Sequence, residues 1–176
     1  KAGRIAAEGI VLAVVEGKKG VVIEVNAETD FVAKNDSFKG FVNTCAQVVI
    51  DQAPADVDAL LACSVDGTTV DAMLKDKILT IGENIKIRRF NRYEGVLVPY
   101  VHGGGTHAVI VQFDTDDATA AKPEFLEYAK DVAMQVAAAN PGYLNKEQVP
   151  AEDIAKEKEI LTQQAINEGK PANIAE

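Results

Sequence analysis

The chain has 176 residues, of which 47% are hydrophobic, and its net charge is -9 at pH 7. This length and composition allow one domain, or two small ones, with a buried core, and they exclude disorder as a description of the whole chain. The acidic balance argues against a protein that grips nucleic acid through its phosphates, although Lys86, Arg88, Arg89 and Arg92 form a local basic patch. No apolar run approaches the length of a membrane span, so neither nucleic acid nor a membrane is expected as a partner.

The two cysteines, Cys45 and Cys63, do not suggest a disulfide framework. A reduced, cytoplasmic setting is therefore expected. The sequence opens at Lys1 and not at a methionine, so we expect a fragment or a processed product.

The first predicted elements are a β-hairpin and a helix. Residues 9–16 and 21–25 are rich in β-branched side chains, and Gly17-Lys-Lys-Gly20 between them predicts a turn. Residues 26–35 are predicted to form a loop, and a helix capped by Asp36 or Ser37 follows it. Its apolar stripe at helical spacing consists of Phe38, Phe41, Val42, Cys45, Val48 and Val49.

The middle of the chain is predicted to contain two short helices and a strand. The helices lie within residues 55–80, with a break near Asp66-Gly67 and with Thr68 as the cap of the second. The run Ile85-Lys-Ile-Arg-Arg-Phe90 alternates like a half-buried strand.

The last part of the chain is predicted to form a second hairpin and two helices. Strands at 96–102 and 107–113 flank Gly103-Gly104-Gly105. Pro123 opens a helix over 124–139, and a charged helix begins after Pro150.

An internal repeat gives the most information about the fold. When the chain is shifted by 87 residues, apolar and glycine positions of its two halves coincide. The pairs include Ile10-Val11 with Leu97-Val98, Gly17 with Gly104, Val22-Ile23 with Val109-Ile110, Phe38 with Phe125, Phe41 with Tyr128, Ala46 with Ala133 and Val49 with Val136. The repeat predicts two similar units in which a helix covers one face of a hairpin.

We therefore expect an α+β protein with two related subdomains, each an antiparallel sheet packed with helices, and a charged C-terminal helix. The first subdomain spans residues 1–94 and the second 95–149. Residues 150–176 begin a helical extension.

Catalytic and metal-binding motifs are weak. His102-Gly-Gly-Gly105 resembles the oxyanion segment of esterases, but that chemistry needs a serine on a sharp elbow. The only serines, Ser37 and Ser64, do not lie in such a motif, so a hairpin turn is favoured. His102 and His107 have no third ligand in the nearby sequence. We expect no catalytic residue, no metal site and no cofactor.

The segment Thr29-Asp30-Phe31-Val32 places an aromatic side chain beside an acid, in a loop that leaves a strand. Taken alone, residue type favours a core position for Phe31, because most phenylalanines are buried.

The longer segment Glu24-Val-Asn-Ala-Glu-Thr-Asp-Phe-Val-Ala-Lys34 changes that expectation, because it resembles the signature segment of the elongation factor Ts family. Six further segments extend the resemblance over effectively the whole chain. They are Lys1-Ala-Gly3, Ile81-Gly-Glu-Asn-Ile85 with Arg88-Arg89, Tyr100-Val-His-Gly103, Val136-Ala-Ala-Ala-Asn-Pro141, Gly169-Lys-Pro171 and Ile174-Ala175-Glu176.

The resemblance implies a guanine-nucleotide exchange factor for elongation factor Tu that is not an enzyme. It places Asp30 and Phe31 near the magnesium site of the GTPase, with Thr29 and Val32 beside them. Ile81, Gly82 and His102 match further contact positions.

The resemblance also bears on the ends of the chain and on its assembly. Family members begin with a small helical module and continue past a segment like Ile174-Ala-Glu176, so we expect a truncated core. A homodimer stays open. Two other classes also stay open: a small hydrolase that uses His102, and a structural or ribosome-associated module without exchange activity.

Overall fold

The computed structural model describes residues 3–171. In chain order the elements are β1 (Glu8–Glu16), β2 (Lys19–Ala27), α1 (Asp30–Ala33), α2 (Asp36–Gln52), α3 (Val57–Ala62), β3 (Ser64–Val65), β4 (Thr68–Thr69), α4 (Val70–Ile81), β5 (Lys86–Glu94), β6 (Val96–His102), β7 (His107–Phe113), α5 (Asp117–Ala120), α6 (Pro123–Ala139), a 3-10 turn (Lys146–Gln148) and α7 (Ala151–Asn167). Helices combined with antiparallel sheets confirm the predicted α+β class.

The first sheet has the strand order β1-β2-β5, and all its pairs are antiparallel. Alternate residues of β2 point to one face, where Val21, Ile23 and Val25 are fully buried against α2. Phe38 and Phe41 of α2 fill the same core. Burial of a Val, Ile or Phe side chain contributes about 1.5–3 kcal/mol. The apolar layer between β2 and α2 is therefore the main source of stability in the first half of the chain.

The second hairpin pairs β6 with β7 and packs against α6. The rings of Phe113 and Phe125 meet edge to face with their centroids 5.1 Å apart. Ala129 and Ala133 are fully buried, and these small residues allow α6 to approach the strands closely.

The two hairpins contact each other within one compact unit that ends at Ala139. A Cβ atom added at Gly20 would lie 2.8 Å from Leu97 Cδ1 and 3.2 Å from Ile110 Cδ1. The Val11 amide also donates a hydrogen bond to the Gly105 carbonyl over 2.8 Å. The absence of a side chain at Gly20 therefore permits the close packing of β2 against the second hairpin.

The predicted repeat appears in the element boundaries. A shift of 87 residues carries α1 onto α5 and α2 onto α6, residue for residue at both ends. The same shift carries β1 and β2 onto β6 and β7, whose ends lie one residue further in. The two halves therefore share one hairpin-plus-helix arrangement.

Several local predictions are wrong. Residues 26–35 do not form a continuous loop, because Asp30–Ala33 make the helical turn α1. The side chain that caps α2 is that of Asn35, and not that of Asp36 or Ser37. A small hairpin, β3-β4, turns at Asp66-Gly67, and Thr69 caps α4 in place of Thr68.

Residues after Ala139 form a second compact unit with the 3-10 turn and α7. The charged helix predicted after Pro150 is confirmed as α7. No helix in residues 3–171 combines the length and apolarity that crossing a membrane requires. The proposed boundaries of the subdomains, 1–94, 95–149 and 150–176, stay a prediction, and residues 172–176 lie outside the described part.

Candidate partner-binding site

Helix α1 presents the Asp30-Phe31 pair at the end of β2. Thr29 has an extended backbone with φ -129 and ψ 157, and its hydroxyl accepts a hydrogen bond from the Val32 amide. Val32 and Ala33 are buried, which anchors one side of the turn. Phe31 points the other way and is 80% exposed. A core position for Phe31, which residue type alone favours, is therefore wrong.

Asp30 forms an ion pair within the same turn. Lys34 Nζ lies 2.8 Å from Asp30 Oδ2, and this hydrogen bond lowers the pKa of the Asp30 carboxyl. Asp30 is consequently ionised at neutral pH. The turn thus presents a carboxylate and a phenyl ring side by side.

The second predicted segment lies at the end of α4. Ile81 is the last residue of this helix, and Gly82 is its C-cap with φ 87. The Gly82 amide donates to the Ile78 carbonyl over 3.1 Å. This left-handed conformation costs glycine little and other residues more, so it accounts for a glycine at this position.

Glu83 connects the two segments. Its Oε2 accepts hydrogen bonds from the amides of Glu28 and Thr29, both over 3.1 Å. Its Oε1 accepts a bond from Thr29 Oγ1 over 2.8 Å. In return, Glu28 Oε1 accepts a bond from the Asn84 amide over 2.6 Å. These hydrogen bonds therefore hold the Asp30-Phe31 turn beside the end of α4, and the two segments together make one candidate site.

Glu28, Glu83 and Asn84 belong to this candidate site by their hydrogen bonds, and the sequence-based prediction missed them. They lie within residues 24–34 and 81–85, but acidic residues in loops usually face solvent, and no short-range spacing pattern joins positions 55 residues apart. The one available signal was their position directly beside the predicted contact residues.

His102 is the last residue of β6 and is exposed. Its Nδ1 is 2.8 Å from the Tyr100 hydroxyl, and its ring centroid is 6.1 Å from that of His107. None of the described hydrogen bonds connects His102 with the Asp30-Phe31 turn or with Gly82. Within residues 3–171, no group of three or more His, Cys, Asp or Glu residues is placed to hold a metal ion.

Comparison with known proteins gives a consistent result. Residues 28–176 match the profile of the family described as Elongation factor TS. The chain is 50% identical to Elongation factor Ts of Cupriavidus metallidurans over 175 residues, which are 98% of this chain and 56% of that protein. It is 46% identical over 181 residues to the proteins of the same name from Syntrophotalea carbinolica and Clostridioides difficile, with 100% of this chain and 59% of each relative covered. The chain thus spans somewhat more than half the length of these curated relatives.

Proposed function

This chain belongs to the elongation factor Ts family, and from that premise we propose that it is a guanine-nucleotide exchange factor in translation elongation. It binds elongation factor Tu in its GDP-bound form and promotes release of GDP. Thr29, Asp30, Phe31, Val32, Ile81, Gly82 and His102 form its contact surface for the GTPase.

The observation that carries this proposal is the exposure of Phe31. A phenyl ring that is 80% exposed, on a turn fixed by a cap and by Glu83, is available to a partner without rearrangement of the core. Burial of such a ring in a partner contributes about 1.5–3 kcal/mol. The neighbouring Asp30 carboxylate adds a charge at the same place.

The proposed mechanism is displacement and not bond making. Bound Mg²⁺ requires near-octahedral geometry and bridges nucleotide phosphate oxygens to the protein. A side chain that enters beside this site and shifts the surrounding loops weakens the metal and phosphate contacts without touching the nucleotide. Because binding is linked, GDP must weaken the binding of this chain by the same factor.

The contacts of the serines do not favour a hydrolase. Ser37 Oγ accepts a hydrogen bond from Lys77 Nζ over 2.9 Å, and Ser64 lies exposed in β3. The described side-chain contacts of His102 and His107 are with Tyr100, Thr106 and each other, so no serine has an imidazole partner in residues 3–171. A nucleophilic serine needs an adjacent base.

Release of labelled GDP from purified elongation factor Tu tests the proposal. The chain is added over a concentration series that reaches saturation, because it spans only part of its relatives' length. The release rate is expected to rise to a plateau well above the intrinsic rate. An intrinsic rate at every concentration would overturn the proposal, and so would phosphate release by the chain alone with GTP.

A further inference from the structure

We infer that Glu83 is a positioning residue for nucleotide exchange, because it fixes the turn that presents Phe31 to the GTPase. The inference rests on the proposed function and adds a residue outside the predicted contact set. Glu83 itself need not touch the partner.

One carboxylate here organises three donors. Glu83 accepts bonds from two consecutive backbone amides, those of Glu28 and Thr29, and from the Thr29 hydroxyl. Hydrogen bonds to an ionised acceptor are stronger than neutral ones, and a pair of adjacent amides fixes the direction of the backbone as well as its distance. The Glu28–Asn84 bond closes the ring from the other side. The end of β2 is thereby held against the end of α4.

Thr29 connects Glu83 to the turn that carries Phe31. The same hydroxyl that donates to Glu83 also accepts the bond from the Val32 amide that caps α1. A helix of four residues cannot sustain itself in water, since nucleation costs more than one turn returns. Loss of Glu83 would therefore free the Thr29 hydroxyl to rotate, and the turn that carries Phe31 would fray.

Most of the main core lies away from these bonds. Phe38, Phe41 and Ile23 are buried between α2 and the first sheet. Glu83 bonds to Glu28 and Thr29, which lie outside this core, and α1 contributes only Val32 to it. We expect removal of Glu83 to disorder the Asp30-Phe31 turn while the sheet and α2 stay folded. This separation makes the positioning role testable.

Three substitutions of Glu83 test how exchange depends on the hydrogen bonds of its carboxylate. Glu83→Gln can keep the two amide bonds, because its carbonyl can accept from both amides, and it reverses the third, because its NH₂ group donates to the Thr29 hydroxyl. Glu83→Asp retains the charge but is one methylene too short. Glu83→Ala removes all three bonds. Asp76→Ala is the matched control, because Asp76 is an exposed acid on α4, the helix that ends just before Glu83, and takes no part in this ring of bonds.

The measurement is the plateau rate of GDP release at saturation. Glu83→Ala and Glu83→Asp are expected to lower it by about tenfold or more, which corresponds to the loss of at least one charge-assisted hydrogen bond. Glu83→Gln replaces charge-assisted bonds by neutral ones, so its plateau rate is expected to lie between those of Glu83→Ala and the wild type, whereas Asp76→Ala should match the wild type. Hydrogen exchange at the Glu28 and Thr29 amides should accelerate in the Ala and Asp variants only. Melting temperatures should change little across the series.

A double-mutant cycle shows whether Glu83 acts through Phe31. If it does, Glu83→Ala in a Phe31→Ala background should change the plateau rate by less than about twofold. Additive losses would overturn the inference, as would a Glu83→Ala activity that only follows the folded fraction. If the wild type accelerates GDP release and Glu83→Ala accelerates it equally, this inference is overturned and the proposed function is not. No acceleration by the wild type would overturn the proposed function, and with it this inference.

Discussion

Thr29 and Glu83 are joined by two hydrogen bonds, from the Thr29 amide over 3.1 Å and from its hydroxyl over 2.8 Å, although they are 54 positions apart in the chain. Thr29 caps the turn that carries Phe31, and Glu83 follows the C-cap Gly82. The pair therefore makes one composite surface from two segments that the sequence presents separately. Changes on the α4 side are expected to affect the Phe31 side.

The second copy of the repeat should contribute little to exchange. Asp117 occupies the position equivalent to Asp30, but Ala118 stands where the first copy has Phe31. A methyl group cannot supply the buried area of a phenyl ring. Asp117 pairs with Lys18 over 2.6 Å, and both side chains are mostly exposed, so the pair contributes about 0–1 kcal/mol. We expect Asp117→Ala to retain the wild-type rate of GDP release and nearly the wild-type melting temperature; a severe loss of rate would contradict the asymmetry of the two halves.

His102 is predicted to lie at the partner surface and to bind no metal. Its exposed position at the end of β6 motivates this prediction. His102→Ala should raise the chain concentration that gives half-maximal GDP release, whereas His107→Ala, on the facing strand, is the matched control. Stoichiometric zinc retained through purification of the wild type, and lost in His102→Ala, would show that the assignment is wrong.

The thiol of Cys45 should be inert in the folded protein. Cys45 is fully buried in α2, and burial raises the pKa of its thiol to about 12 from an ordinary value of 9.0. Because the thiolate is the reactive form, an alkylating reagent at pH 8 should label Cys63, which is partly exposed, and spare Cys45 until the chain is unfolded. Mass spectrometry of the labelled peptides gives the answer. Rapid labelling of both cysteines in native protein would contradict the described core.

The same pKa difference gives a direction for stability at alkaline pH. Since the unfolded thiol ionises at a lower pH than the folded one, Cys45 favours the folded state fully below about pH 9. This contribution is lost as the pH rises through the interval between the two pKa values. Chemical denaturation of wild type and Cys45→Ala between pH 8 and 11 should show a steeper loss of stability in the wild type; equal slopes would contradict the burial of this thiol.

Where the sequence signals were local, the predicted elements agree with the structure. The strands at 96–102 and 107–113 have the predicted bounds, because three consecutive glycines mark the turn between two alternating runs. Helix α6 starts at Pro123, whose fixed φ suits the first turn of a helix. The repeat could also be predicted from the sequence, because packing of a helix on a hairpin requires apolar residues at the same positions in both halves.

The sequence did not predict the structure where several neighbouring residues suit the same role, or where the deciding contact comes from a distant part of the chain. Asn35, Asp36 and Ser37 are all good capping types, so the choice of Asn35 depends on the backbone that enters α2. Helix α1 is too short to show a helical period. The contacts of Glu83 depend on the close approach of the segments that follow β2 and α4 in the folded chain, which no spacing in the sequence encodes.

Whether Phe31 drives exchange is measured by the rate of GDP release from elongation factor Tu at saturating Phe31→Ala, with the melting temperature of the same variant measured in parallel. Because Phe31 is 80% exposed, the variant is expected to melt like the wild type and to lose most of the acceleration. An unchanged plateau rate would contradict the account. A destabilisation of about 3–5 kcal/mol, typical of a truncated core phenylalanine, with activity that follows only the folded fraction, would contradict it as well.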